Sequence, residues 1–390
     1  STFWDEETVR VALESKTRVL SCGLNLVGQL GQSSDRSYDR PSKIEALDDE
    51  KAVKVFAGGN SSAMITVDGR LLSWGKGEYG CLGHGDDSFL TVPKVCQYFA
   101  SSGIQVVDVA IGTLHMLALD SNLKLYSWGR SLPSGHHDSG HKMVPQALDG
   151  ELGAKKVISI SAGYMHSAAV TDQGEVYTWG SGYCGQLGNG KKSDLKAPQR
   201  VEALGHVKAK KVACGRDFTM VLTETGDLYS FGSDDYGQLG LGKSHGERFV
   251  LLPRKVLASN LVDIVCGDYH CLAVDKDDAI WSWGLGREGQ LGNGEKSDQS
   301  VPKILKSFGH VSTTKSATPK VVCGGGHSAI VVDKECYMFG RGRDGQLGRG
   351  GNLESVAGYH VSPVKVDTGD INLVYDVALG FDHSVFLCHK

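Results

Sequence analysis

An all-β fold, a seven-bladed β-propeller of four-stranded blades, is what this sequence predicts. Two motifs each recur seven times, out of phase with one another, and the chain begins and ends in mid-repeat. The first motif is a short apolar run ending in an aromatic and a glycine, followed in most copies by Gly-Gln-Leu-Gly. Trp179-Gly180-Ser181-Gly182-Tyr183-Cys184-Gly185-Gln186-Leu187-Gly188 is a full specimen. The glycine after the aromatic position stands at 23, 75, 129, 180, 232, 284 and 340, a spacing of 51 to 56 residues. The second motif is a Val-rich run, a glycine, two variable residues and usually a histidine. It reads Gly58…Ser61, Gly112…His115, Gly163…His166, Gly215…Phe218, Gly267…His270, Gly324…His327 and Gly380…His383.

Each repeat parses into four strands. Strand a is the Val-rich run before the glycine, b the apolar run after the histidine, c the run ending at the aromatic-Gly, and d the segment after Gly-Gln-Leu-Gly. Short runs of Val, Tyr, Trp and Phe bounded by glycine favour strands, and turns such as Val67-Asp68-Gly69-Arg70 suit the hairpins between them. Four-stranded sheets repeated around an axis bury their faces against neighbouring blades. A linear solenoid would instead need distinct polar caps. The chain opens with strands c and d (18 to about 44) and closes with a and b (about 373 to 388), so the two ends are expected to complete one shared blade. The domain reading is an N-terminal extension over 1–16, with a short helix near 5–14, and a propeller over 17–390. Loss of either end should destabilise the whole ring.

Bulk properties exclude more than they assign. The chain has 390 residues, 41 basic and 45 acidic, for a net charge of −4, which gives no global pull toward nucleic acid or anionic lipid. The propeller itself is therefore not expected to bind nucleic acid, although the run at 208–211 is locally basic. No apolar stretch approaches the roughly 18 residues of a membrane span, and residues 1–7 do not read as a signal peptide. The ten cysteines are scattered without C-x-x-C or zinc-type spacing, and Cys214, Cys266 and Cys323 share one repeat position. They read as small core residues in an intracellular chain, nuclear or cytoplasmic, with no structural metal and no cofactor. No P-loop, Gly-x-Ser-x-Gly or paired-carboxylate motif suggests an enzyme.

The combination of Trp-Gly-x-Gly-x-x-Gly-Gln-Leu-Gly with Gly-x-x-His-Ser, as in Gly163-Tyr164-Met165-His166-Ser167, resembles the regulator of chromosome condensation repeat family over residues 17–390. The resemblance implies a seven-bladed propeller and a range of activities. These include guanine-nucleotide exchange on the small GTPase Ran with chromatin association, domains of ubiquitin ligases, and a plant ultraviolet photoreceptor. Fold alone does not choose among them. The exchange branch carries acidic residues in the second and third Gly-x-x-His loops, where this chain has Thr113-Leu114 and Tyr164-Met165. It shares with that branch a Phe at the histidine position, Phe218, and retains His383. The photoreceptor reading needs loop tryptophans, and none of the seven loops contains one.

The reading that remains is a non-catalytic scaffold that binds a protein partner, a small GTPase or a ubiquitin-pathway protein among the candidates. In an antiparallel meander the a–b and c–d loops emerge on one face. Its expected contact residues are Thr113, Tyr164, Met165, Arg216, Asp217, Asp268, Tyr269, Phe381 and Asp382 near the axis, with Tyr79, Tyr183, Tyr236, Arg287 and Arg343 further out. Tyr and Arg amid mixed charge is the composition of recognition hot spots. The third copy of the first motif departs from the pattern after Trp128-Gly129. It adds Arg130, His136 and His137 as candidates, while its His136-His137-Asp138-x-x-His141 run on a Gly/Ser loop is poorly preorganised for metal. Insertions at 307–319 and 349–363 are further candidates. The five repeated histidines are expected to serve the fold through a bond to a neighbouring element.

Overall fold

The computed structural model describes residues 4–14, 17–243, 246–308, 318–350, 358–369 and 373–389. Of the insertion candidates at 307–319 and 349–363, residues 309–317 and 351–357 lie outside the described residues. Seven four-stranded antiparallel sheets form the ring, each running a to d from the axis outward. Blade 1 comprises Ala52–Gly58, Ser61–Thr66, Leu71–Gly75 and Leu90–Val95; blade 2 comprises Val106–Ile111, His115–Asp120, Leu125–Gly129 and Lys142–Ala147. Blade 3 holds Val157–Ala162, His166–Thr171, Val176–Gly180 and Leu195–Arg200, and blade 4 holds Ala209–Cys214, Phe218–Thr223, Leu228–Ser233 and Phe249–Lys255. Leu261–Cys266, His270–Asp275, Ile280–Gly284 and Gln299–Ile304 make blade 5; Lys320–Cys323, His327–Val332, Glu335–Arg341 and Tyr359–Lys365 make blade 6.

Blade 7 joins the two ends of the chain. Leu373–Leu379 and His383–His389 supply its inner strands, and Thr17–Gly23 and Tyr38–Lys43 its outer ones. Thr17–Gly23 pairs in unbroken register with His383–His389, from Thr17↔His389 to Gly23↔His383. The helix expected near 5–14 is Glu6–Leu13, N-capped by Asp5, whose carboxylate accepts from the Thr8 amide at 2.7 Å. Ala12 packs among Val53, Phe99 and Ile104 of the blade 1 and 2 region, while Glu7 pairs with Lys334 of blade 6. The helix thus bridges the blades on either side of the closing one.

The hydrophobic core lies between blades. Trp74, Trp128, Trp179 and Trp283, at the aromatic position of strand c, are wholly buried. Each indole N–H donates to a backbone carbonyl of the preceding blade: Gln29, Cys81, Pro133 and Gln238, at 2.8–3.0 Å. The final glycine of Gly-Gln-Leu-Gly lies against the aromatic of the next blade, except Gly348, which meets Pro41 and Cys22. A Cβ on Gly31 would come within 2.9 Å of the Trp74 indole nitrogen. The third copy loses the letters but keeps this geometry. Its helical turn Ser131–Ser134 presents Pro133 O to Trp179 and puts Gly135 where the repeat glycine belongs.

One charged residue projects from the third position of most inner strands. Lys54 pairs with Asp108 at 2.7 Å, Lys211 with Asp263, and Lys320 with Asp376. Going round from blade 1, the series is Lys54, Asp108, Ser159, Lys211, Asp263, Lys320, Asp376. In six of the blades the register of strands a and b slips by one residue just before this position. The six charged members line an axial channel of about 380 Å³. Lys211, part of the basic run at 208–211, is thereby committed to an ion pair.

Candidate functional site

The a–b and c–d loops share one face because each c–d loop starts with a bond to the a–b loop of its own blade. The amide that follows the aromatic-Gly donates to the carbonyl just before the histidine position. In chain order the bonds are Leu24→Asp382, Lys76→Asn60, Arg130→Leu114, Ser181→Met165, Ser233→Asp217, Leu285→Tyr269 and Arg341→Gly326, at 2.8–3.0 Å. The glycine before each donor has φ near +100° to +114°, and a Cβ on Gly284 would lie 2.4 Å from Tyr269 O. The glycine is required by that close approach.

On this face the a–b loops of blades 3 to 5 join through their side chains. The Arg216 guanidinium lies 4.2 Å from the Tyr164 ring and 6.0 Å from that of Tyr269. Tyr269 meets Tyr236 edge-on at 5.1 Å, and Arg287 lies 5.3 Å from Tyr236 and 3.0 Å from Asp298. An aromatic–guanidinium arc therefore crosses three blades, with each contact in the range of a cation–π or edge-on pair. Backbone bonds fix the loops below it: Tyr164 N to Arg216 O at 3.2 Å and Arg216 N to Asp268 O at 3.1 Å.

Three carboxylates lie beside the arc, and one of them, Asp268, lines the axial channel. Burial pushes Asp268 up to about 7, with Arg216 opposing the shift and Asp382 and Asp217 adding to it. Burial also raises Asp217 and Asp382, each opposed by an arginine, Arg216 and Arg341 respectively. Arg341 reaches Asp382 at 3.4 Å and Asp344 at 3.5 Å, and Arg343 reaches Glu288 at 3.5 Å. Arg341 was not among the sequence candidates, because it follows directly on a Phe-Gly and reads as strand. Phe381 N donates to Gly59 O at 2.9 Å, which ties blade 7 to blade 1 at the axis.

The remaining candidates sit apart or serve the fold. Thr113 and Met165 are half-buried in their loops. Arg130 lies 5.3 Å from the Tyr79 ring, which meets His141 at 4.6 Å; this is a second small cluster between blades 1 and 2. His136 is buried and bonded to Ser127 Oγ at 2.9 Å, the counterpart of His84 on Ser73, whereas His137 is exposed. The three histidines of this loop do not converge.

The repeated histidines make an interblade relay. His115, His166, His270, His327 and His383 are fully buried, and each Nε2 bonds the hydroxyl just after the histidine position of the next blade. The partners are Ser167, Thr219, Ser328, Ser384 and Ser62, at 2.8–3.1 Å. Each hydroxyl in turn donates to a c–d loop carbonyl: Pro133, Gln186, Gln290, Gln346 or Gln29. The hydroxyl proton is thus engaged, so Nε2–H is the donor, and it is burial that keeps the ring neutral. Burial pushes the five imidazoles down to about 3 or 4. Where the histidine is missing, its partner is missing too. Ser61 in blade 1 is followed by Met116 in blade 2, and Phe218 in blade 4 by Cys271 in blade 5.

Comparison with known proteins agrees with this geometry. A family model described as the RCC1-like domain matches residues 90–390, and models of the regulator of chromosome condensation (RCC1) repeat match 17–65 and 52–81. The ultraviolet-B receptor UVR8 of Arabidopsis thaliana is 33% identical over 88% of this chain and 77% of its own length. The human E3 ubiquitin-protein ligase HERC2 is 29% identical over 83% of this chain, which spans only 7% of the ligase. The crystal structure of human WBSCR16 superposes with a TM-score of 0.83 at 23% identity, covering 96% of this chain and 99% of that one, a likeness of fold. The chain belongs to the RCC1-like propeller family.

Proposed function

We propose that this propeller is a non-catalytic, intracellular interaction module that binds a protein partner through the a–b/c–d loop face. The observation that carries the reading is Arg216 set between Tyr164 and Tyr269, with Asp268 and Asp217 beside it. Arginine held by aromatic rings loses little side-chain freedom on binding, which is the property of an anchor residue. The sheets beneath are rigid, whereas the loop identities vary from blade to blade. A small GTPase or a ubiquitin-pathway protein is the class of partner that the family suggests.

Arg216→Ala and Tyr269→Ala test the surface. Each should weaken a partner recovered with the unsubstituted chain by about 2 kcal/mol, roughly 30-fold in Kd, with thermal unfolding unchanged. Unchanged binding in both, together with its loss on edits at 131–142, would move the site to the second cluster around Arg130, Tyr79 and His141. Release of labelled nucleotide from Ran separates this reading from exchange activity: acceleration by orders of magnitude would overturn the scaffold assignment.

A further inference from the structure

Blade 5 departs from the repeat in a way that the interaction face does not use. After the histidine position four blades carry serine and one threonine, and Cys271 takes that place in blade 5. The relay histidine that would bind it is replaced by Phe218 in blade 4. Cys271 thus has no histidine partner, and of the relay it keeps only a 3.6 Å contact from its thiol to Gln238 O. Its sulfur lies 3.6 Å from that of Cys266, its register partner on strand a.

We propose that Cys266 and Cys271 are a redox pair, closed to a cross-strand disulfide by hydrogen peroxide. Gly267 N–H donates to His270 O at 2.8 Å across the hairpin, which makes Cys266 and Cys271 the adjacent non-hydrogen-bonded pair. In such pairs the Cα atoms stand about 4.5 Å apart, within the span that a disulfide bridges. Closing the sulfurs to about 2.05 Å then needs side-chain rotation without a change of register.

The two thiols differ in access. Cys266 is half-buried and lines the axial channel, whereas Cys271 is fully buried. Cys266 is therefore the thiol that meets the oxidant, its sulfur taking up one peroxide oxygen as a sulfenic acid while the other leaves as water. The Cys271 sulfur then attacks the sulfenic sulfur. The S–S bond forms as the S–O bond breaks, and the Cys271 proton leaves with the hydroxyl as a second water. Two thiols are oxidised and one peroxide is reduced to two waters. Burial and the neighbouring Cys266 hold the Cys271 thiol well above its ordinary range, so the second step is slow and the pair suits a sustained oxidising signal. The bond would pin the hairpin that carries Asp268 and Tyr269.

The test treats the folded full chain with hydrogen peroxide, alkylates the remaining thiols and maps the peptides. Both cysteines fall in the tryptic peptide 256–276, and a cut after Tyr269 separates them. The expected product is this peptide unalkylated and lighter by two hydrogens, with its halves still joined after the second cut. Cys266→Ser and Cys271→Ser should each abolish it, and Cys214→Ser and Cys323→Ser should leave it intact. A bond from Cys266 to Cys214 or Cys323 would overturn the proposal. So would sulfinic acid at Cys266 with Cys271 still open to alkylation after unfolding. Mapping of the unsubstituted chain decides the matter even if a variant folds poorly.

Discussion

At the scale of single residues, the face and the framework are made from neighbouring positions of one loop. In Gly267-Asp268-Tyr269-His270 the two middle residues face outward and the fourth is locked into the next blade through Ser328. The locked histidines carry a pH dependence. Unfolded, each imidazole protonates near pH 6.5; folded, it stays neutral to about 3 or 4. The unfolded chain therefore binds more protons throughout that interval, and stability falls as pH drops from 6.5 toward 4. The slope is about 1.4 kcal/mol per pH unit for each ring. Denaturant unfolding at pH 7, 6 and 5 should show the midpoint falling steeply, and His270→Gln should make the fall shallower. A flat profile would contradict the neutral relay. Repetition of the histidines pointed to a structural role, but their partners lie one blade away, 52 to 58 residues on in four cases and at the other end of the chain for His383, and were not legible. The partner hydroxyls become apparent once the losses at Ser61/Met116 and Phe218/Cys271 are seen to be paired.

At the scale of elements, the c–d loops are held by backbone carbonyls as much as by side chains. This explains how the third copy can lose Gly-Gln-Leu-Gly and keep its place: Pro133 O accepts from both Trp179 Nε1 and Ser167 Oγ. Trp179→Phe removes one of two donors from that carbonyl and puts there the residue found at Phe231 and Phe339. Its cost should be about 0.5–1.5 kcal/mol. Trp179→Ala empties a fully buried site between blades and should cost about 3–5 kcal/mol, as read from urea unfolding midpoints. Strands, turns and their order were legible because each is a local pattern of apolar residues and glycine. The substitute turn was not, since a carbonyl can be presented by any residue that brings the chain to the right point.

For the whole molecule, the shared blade was readable from the out-of-phase ends of the chain, and its register confirms the closure. The face as a single surface followed from the meander, whereas the arc through Arg216 depends on side-chain placement across three blades. The axial charges were not legible, since a lone Lys or Asp in a Val-rich strand looks like a solvent-facing position. Asp376 is the most enclosed of them, accepting from Lys320 and from Val55 N. Asp376→Asn keeps an acceptor for the Val55 amide, whereas Asp376→Ala leaves that amide buried without one. Alanine should therefore cost about 1–3 kcal/mol more than asparagine in thermal or urea unfolding. Equal losses would show that the amide bond is immaterial. The same ring of charges also counts blades. Alternating signs close without fault only around an even number of members, and seven is odd, so one member must be neutral; Ser159 is that fault. A lysine there would stand beside Lys211 and an aspartate beside Asp108. Losing the blade of Lys54, Asp263, Lys320 or Asp376, or duplicating any charged blade, would set like charges side by side, so the alternation works against most wrong numbers of blades.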